Sequence, residues 1–269
     1  MLELEHGFRV VDVHARLEPD ESRRPREGVG SPERLEREMH QAGVVRAVVY
    51  PDDREQGYLK ANNAVARMSV GRPLVAFARI NGARDPGAGA GSRLKNITAS
   101  RTDSHTSPED VEQYAYDDRF VGFKLHPARD GLPDEDVLDQ LAAVGKPILV
   151  HGGQGFPPDA IERHFLQADF PVILGHFGGY PLQEEMMETA IDLLERYDQC
   201  YLDTSAVRFR DPLERAIMEH PDRVFFGSGA PNVHPNVAIM EILTLDVPED
   251  AMKKVFSNNP TRVIEELAP

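Results

Sequence analysis

Eight short apolar runs, mostly β-branched or aromatic, recur along the 269-residue chain. They are FRVVDVH (8–14), VVRAVVY (44–50), PLVAFARI (73–80), FVGFKLH (120–126), KPILVHG (146–152), FPVILGH (170–176), QCYLDTS (199–205) and RVFFGSG (223–229). Runs of this length between turn and helix signals predict strands. Between them the apolar positions widen to helical spacing. SPERLEREMHQAG offers Ser31 as N-cap, Pro32 in the first turn and Gly43 as the stop. GYLKANNAVARMSVG, SPEDVEQYAYDD, LPDEDVLDQLAAVG, PPDAIERHFLQ, PLQEEMMETAIDLLERY and DPLERAIMEH follow, and VPEDAMKKVFSNNPTRVIEEL closes the chain. Strand-then-helix alternation repeated eight times predicts a single (β/α)8 TIM-barrel-like domain over 1–269. A doubly wound open sheet is the alternative, disfavoured because no glycine-rich phosphate loop follows the first run. One stretch breaks the rhythm: DPGAGAGSRLKNITASRTDSH (85–105) reads as a long loop, a mobile cover of the mouth or partly disordered.

A barrel places its chemistry at the C-terminal ends of its strands. In VVDVHARL, Asp12, His14 and Arg16 stand at alternate positions, which in a regular strand share one face. The later strand ends bring Arg79 and Asn81, Lys124 and His126, His151, His176, then Asp203, Thr204 and Ser205, and finally Ser228 and Gly229. Four of the ten histidines therefore converge on one mouth. Each residue alone has a plainer reading: Lys124 as counter-ion to Asp12, Arg16 in a surface ion pair of ~0–1 kcal/mol, Cys200 as core filler. Together they would be expensive to bury without a purpose.

Composition narrows the partners. With 45 acidic against 30 basic residues the net charge is −15, which opposes binding to nucleic acid or anionic membranes. Six lysines against twenty-four arginines and an acidic surface suit a host with high intracellular salt or a GC-rich genome. One cysteine excludes an internal disulfide and a cysteine-rich zinc module. The acidic opening MLELEHGF lacks the apolar core of a signal peptide, and no stretch is long enough to span a bilayer. A cytoplasmic protein is the expectation.

The ordered set DVHARL, GFKLHP, PILVHGG, VILGHFGG, YLDTSA, RVFFGSGAP and NNPTRVI resembles the amidohydrolase superfamily, in the branch that includes decarboxylases and lactonases. The resemblance runs from residue 8 to 267, poorest at 85–105. It implies a divalent metal, zinc first, on His14, His151 and His176, and catalysis by His176 and His151. Two of the family's ligands are absent: its second strand-one histidine is Arg16 here, and its strand-eight aspartate is Gly229. Arginine stays protonated and has no lone pair to give, so it repels a cation and attracts an anion.

Two functions remain open. One is an enzyme acting on a small carboxylate- or phosphate-bearing molecule, with or without metal, by hydrolysis of a C–N, ester or lactone bond or by decarboxylation. Arg16, Lys124, His126 and Ser228 would bind substrate, and Asp12 would orient a histidine or pair with Lys124. The other is a barrel that binds a ligand or partner without turnover. A homodimer is compatible with either.

Overall fold

The computed structural model describes residues 5–26, 28–54 and 57–268; the first four residues of the acidic opening lie outside them. The eight predicted runs are eight strands: β1 (Val10–Leu17), β2 (Val44–Pro51), β3 (Leu74–Arg79), β4 (Phe120–Leu125), β5 (Ile148–Gly153), β6 (Val172–Tyr180), β7 (Cys200–Asp203) and β8 (Val224–Phe225). Each pairs in parallel with its sequence neighbour. The segment around and after β8 returns to β1: the Val13 N–H donates to Phe226 O (3.0 Å), Gly229 N–H to His14 O (2.9 Å) and Arg16 N–H to Ala230 O (2.8 Å). The sheet thus closes into the expected (β/α)8 barrel.

The helices form where local chemistry predicts. Ser31 caps Pro32–Gln41 by accepting from the Arg34 N–H, and Gly43 follows at φ +66°. Ser107 and Asp110 make a reciprocal capping box on Pro108–Tyr116. The helices bury their apolar faces on the outside of the barrel, where Leu35, Met39, Ile161 and Ile191 meet outward strand residues such as Val10 and Leu17. A second core fills the barrel interior with Val11, Val13, Val48, Phe77, Leu149, Ile173 and Phe225, and Ile264 and Leu267 of the C-terminal segment join it. The polar mouth therefore stands above a dry plug of side chains.

Two expectations are corrected. The 85–105 stretch is not all loop, because Ala90–Thr98 is a helix. None of its residues is buried; Asp85 holds it through Lys95 Nζ (2.9 Å) and Asn96 Oδ1 (2.7 Å). A helix fastened by polar contacts leaves no apolar stripe to read. Nor do Asp12, His14 and Arg16 share a face. From Asp12 to Ala15, β1 advances three residues while β2 advances two, from Ala47 to Val49. This bulge breaks the alternation. Asp12 stands between the inward-facing Val11 and Val13 and turns away from the interior, toward Ser228 in the seam with the β8 end.

Candidate active site

A cavity of about 140 Å³ opens at the C-terminal end of the barrel, and His14, Arg16, Lys124, His126, His151 and His176 line it. A larger depression of about 510 Å³ lies to one side, over Tyr58, Asn81 and Thr106, and holds none of these residues. Asp12 and Ser228 are fully buried and belong to neither lining. Asp12 accepts from the His14 N–H (2.9 Å), the Ser228 N–H (2.9 Å) and the Ser228 hydroxyl. The structure thus corrects the expected Asp12–Lys124 pair and the placement of Ser228 in the mouth: both Asp12 and Ser228 tie β1 to the end of β8.

Backbone strain aims His176. His176 and Phe177 both take left-handed conformations (φ 58° and 51°), as residues held at functional sites often do. The glycines that follow His151 and His176 are packing requirements as well as turns. A Cβ on Gly153 would meet Tyr180 O at 2.1 Å, and one on Gly179 would meet Met187 Cγ at 2.4 Å.

Partners fix the tautomers. His176 Nδ1 lies 2.9 Å from Ser205 O, which can only accept, so Nδ1 carries the proton. Its Nε2 then accepts from the His151 Nδ1–H (3.1 Å). His14 Nδ1 donates to Asp203 Oδ2 at 2.8 Å. The His151 ring stacks on His126 at 3.8 Å, nearly parallel at 11°. Burial, then Lys124, pushes His126 down to about 3; burial, then His14, does the same to His176. Burial, then His176, lowers His151 further. These three imidazoles are neutral at physiological pH. Burial acts to raise Asp203, but His14 and Ser205 outweigh it and hold the carboxylate ionised, well below its usual range.

Ser205, His14 and Asp203 touch one another without forming a nucleophilic triad. Ser205 is fully buried, and its Oγ and the Asp203 carboxylate both address Nδ1 of His14. A triad needs serine and acid on opposite nitrogens.

The cations differ in how they are satisfied. Arg79 is 2% exposed and forked onto Asp130 (2.9 and 3.0 Å), with Asp53 beyond. Arg129 also meets Asp53. Arg16 spends Nη1 on Asp52 (2.9 Å), and its Nε and Nη2 have no protein acceptor among the described residues. Lys124 is 2% exposed and its Nζ has no hydrogen-bond partner among the described residues; the Tyr50 ring lies 5.2 Å away. Burial, then Arg79, brings this amine down to about 7.

A metal implied by the resemblance can be tested against these donors. His14, His176 and Asp203 each offer a ligand atom, and the three atoms lie within 4.8 Å of one another. Two imidazoles and a carboxylate suit zinc or manganese, so this donor set fits, with Asp203 in the place the resemblance gave to His151. Asp203 was visible in the sequence only as one more polar residue at a strand end, and without the fold nothing set it beside His14. Asp53 sits on a loop and Arg129 in the single-turn helix Pro127–Asp130, neither of them marked by a periodic signal.

A profile of the amidohydrolase family matches residues 11–265, and the chain belongs to that family. No curated protein matches it. Among solved structures, an uncharacterised TIM-barrel protein of Bordetella bronchiseptica is 19% identical, with a TM-score of 0.70, over 97% of this chain and 100% of that one. A dihydroxybenzoic acid decarboxylase of Polaromonas, with bound manganese and the inhibitor 2-nitroresorcinol, is 16% identical (TM-score 0.65; 97% and 100% covered). A probable 2-pyrone-4,6-dicarboxylic acid hydrolase of Acinetobacter baumannii, with citric acid bound, is 14% identical (TM-score 0.61; 96% and 100% covered). Among the described residues no helix is long and apolar enough to cross a membrane.

Proposed function

We propose that this chain is an enzyme acting on a small carboxylic acid, with decarboxylation as its first reaction and hydrolysis as the second reading. The observation that carries it is the cationic lining of the cavity, where, among the described residues, Arg16 keeps unused donors and Lys124 Nζ has no hydrogen-bond partner. Arg16 presents a planar fork matched to a carboxylate, and only one arm of it is spent on Asp52. The cavity's size suits a small acid. The Polaromonas decarboxylase supports the first reaction and the Acinetobacter hydrolase the second.

Arg16 anchors a carboxylate. His151 and His126, neutral and stacked, accept or return a proton at the reacting carbon or oxygen. Asp203 holds the His14 ring in place, and Ser205 does the same for His176. A divalent ion on His14, His176 and Asp203, zinc or manganese, would add Lewis-acid polarisation of substrate oxygen. Carbon dioxide release from 2,6-dihydroxybenzoate and related acids, measured beside ring opening of 2-pyrone-4,6-dicarboxylate, tests the reading. Turnover of either class with loss in Arg16→Leu supports it. A panel of small acids that neither binds nor reacts would leave a barrel without this activity.

A further inference from the structure

We propose that Lys124 is a nucleophilic amine that forms an imine with the carbonyl carbon of a small oxo acid in the barrel mouth. The inference rests on the cavity being a carboxylate site and narrows which acids react there.

A lysine kept at this depth for structure would be paired with a carboxylate. The buried acids around the mouth are committed elsewhere: Asp12 to Ser228, Asp203 to His14 and Ser205, Asp130 to Arg79 and Tyr58. Among the described residues Lys124 Nζ is left without a hydrogen-bond partner, yet its residue lines the cavity. Desolvation beside other cations is how an amine is kept as a nucleophile. Burial and the Arg79 guanidinium, with Arg16, act that way here and outweigh the opposing carboxylates of Asp203 and Asp130, so a share of the amine is uncharged at neutral pH. Arg16, with donors to spare in the same wall, can hold the acid's carboxylate while the neighbouring carbonyl faces Lys124.

The step balances without a further reagent. The nitrogen lone pair attacks the carbonyl carbon, and the C=O π pair moves to oxygen. One N–H proton transfers to that oxygen to give a carbinolamine. The second leaves with the hydroxyl as water while the nitrogen lone pair closes the C=N bond. His126, whose Nδ1 also lacks a hydrogen-bond partner among the described residues, lines the same cavity and can relay these protons. For a 3-oxo acid the protonated imine would accept the electron pair released with carbon dioxide.

The full chain is incubated with pyruvate or acetoacetate, reduced with borohydride, and read by intact mass and peptide mapping. The expected product is heavier by the acid less one oxygen (for acetoacetate, also by that mass less carbon dioxide), carries the modification on Lys124, and is lost in Lys124→Arg. The wild-type map locates the adduct, so the result does not depend on how the variant folds. An unmodified chain, or adducts no more frequent on Lys124 than on the exposed Lys60 and Lys95, overturns the proposal. Thermal shifts run in parallel separate the two ideas. An acid that stabilises the chain but leaves no adduct removes the imine and keeps the carboxylate site; acids that do neither remove both.

Discussion

Lys124 has a measurable signature in stability as well as in chemistry. Its folded pKa, about 7, lies below its ordinary 10.5. Between those values the unfolded chain holds a proton that the folded chain does not, so this residue's contribution to stability grows as pH rises. Lys124→Met should therefore flatten the melting-temperature profile from about pH 7 to 10; a slope equal to wild type would contradict the burial described for it. Arg16 is a different kind of residue, paired once and with donors left over. Charge-assisted hydrogen bonds contribute about 1.5–3 kcal/mol each, so Arg16→Leu should weaken acid binding by about 10- to 100-fold, read by calorimetry. Residue types at strand ends were legible in the sequence, but their directions were not. The β1 bulge turned Asp12 away from His14 and Arg16, and no local pattern in VVDVHARL signals that extra residue.

Among elements, the mouth is built where β1, β4, β5, β6 and β7 end together. His126, His151 and His176 all stay neutral in the folded state, with His126 and His176 held at about 3 against an ordinary 6.5. As pH falls from about 6.5 toward 3, the unfolded chain takes up protons that the folded mouth refuses, and stability is lost. His126→Gln should make the acid limb of unfolding shallower; an unchanged midpoint would contradict the neutral assignment. Asp203 belongs to the same ring of strand ends, orienting His14 and offering a ligand atom. Asp203→Asn should lower zinc or manganese affinity by at least about 10-fold, measured by equilibrium dialysis. The strands themselves were legible because each is an unbroken apolar run. The helix Ala90–Thr98 was not, because polar contacts to Asp85 hold it rather than a buried face.

For the molecule as a whole, strand–helix alternation carried the barrel, and the ordered motifs carried the family. What the sequence could not show was pairing across the mouth. His14 meeting Asp203, His176 meeting Ser205, and Lys124 meeting no acceptor among the described residues depend on side chains brought together only by closure of the sheet. The net charge of −15 belongs to this scale too. Self-repulsion at that charge is screened by salt, so the melting temperature should rise from low salt to molar potassium chloride; no change would remove the reading of adaptation to high salt. The most direct test of the carboxylate site compares small acids with their primary amides by calorimetry, on wild type and on Arg16→Leu. The account predicts that acids bind at least about tenfold more tightly than their amides and that Arg16→Leu erases the difference. Acids and amides binding alike, or a preference that survives in Arg16→Leu, would contradict it.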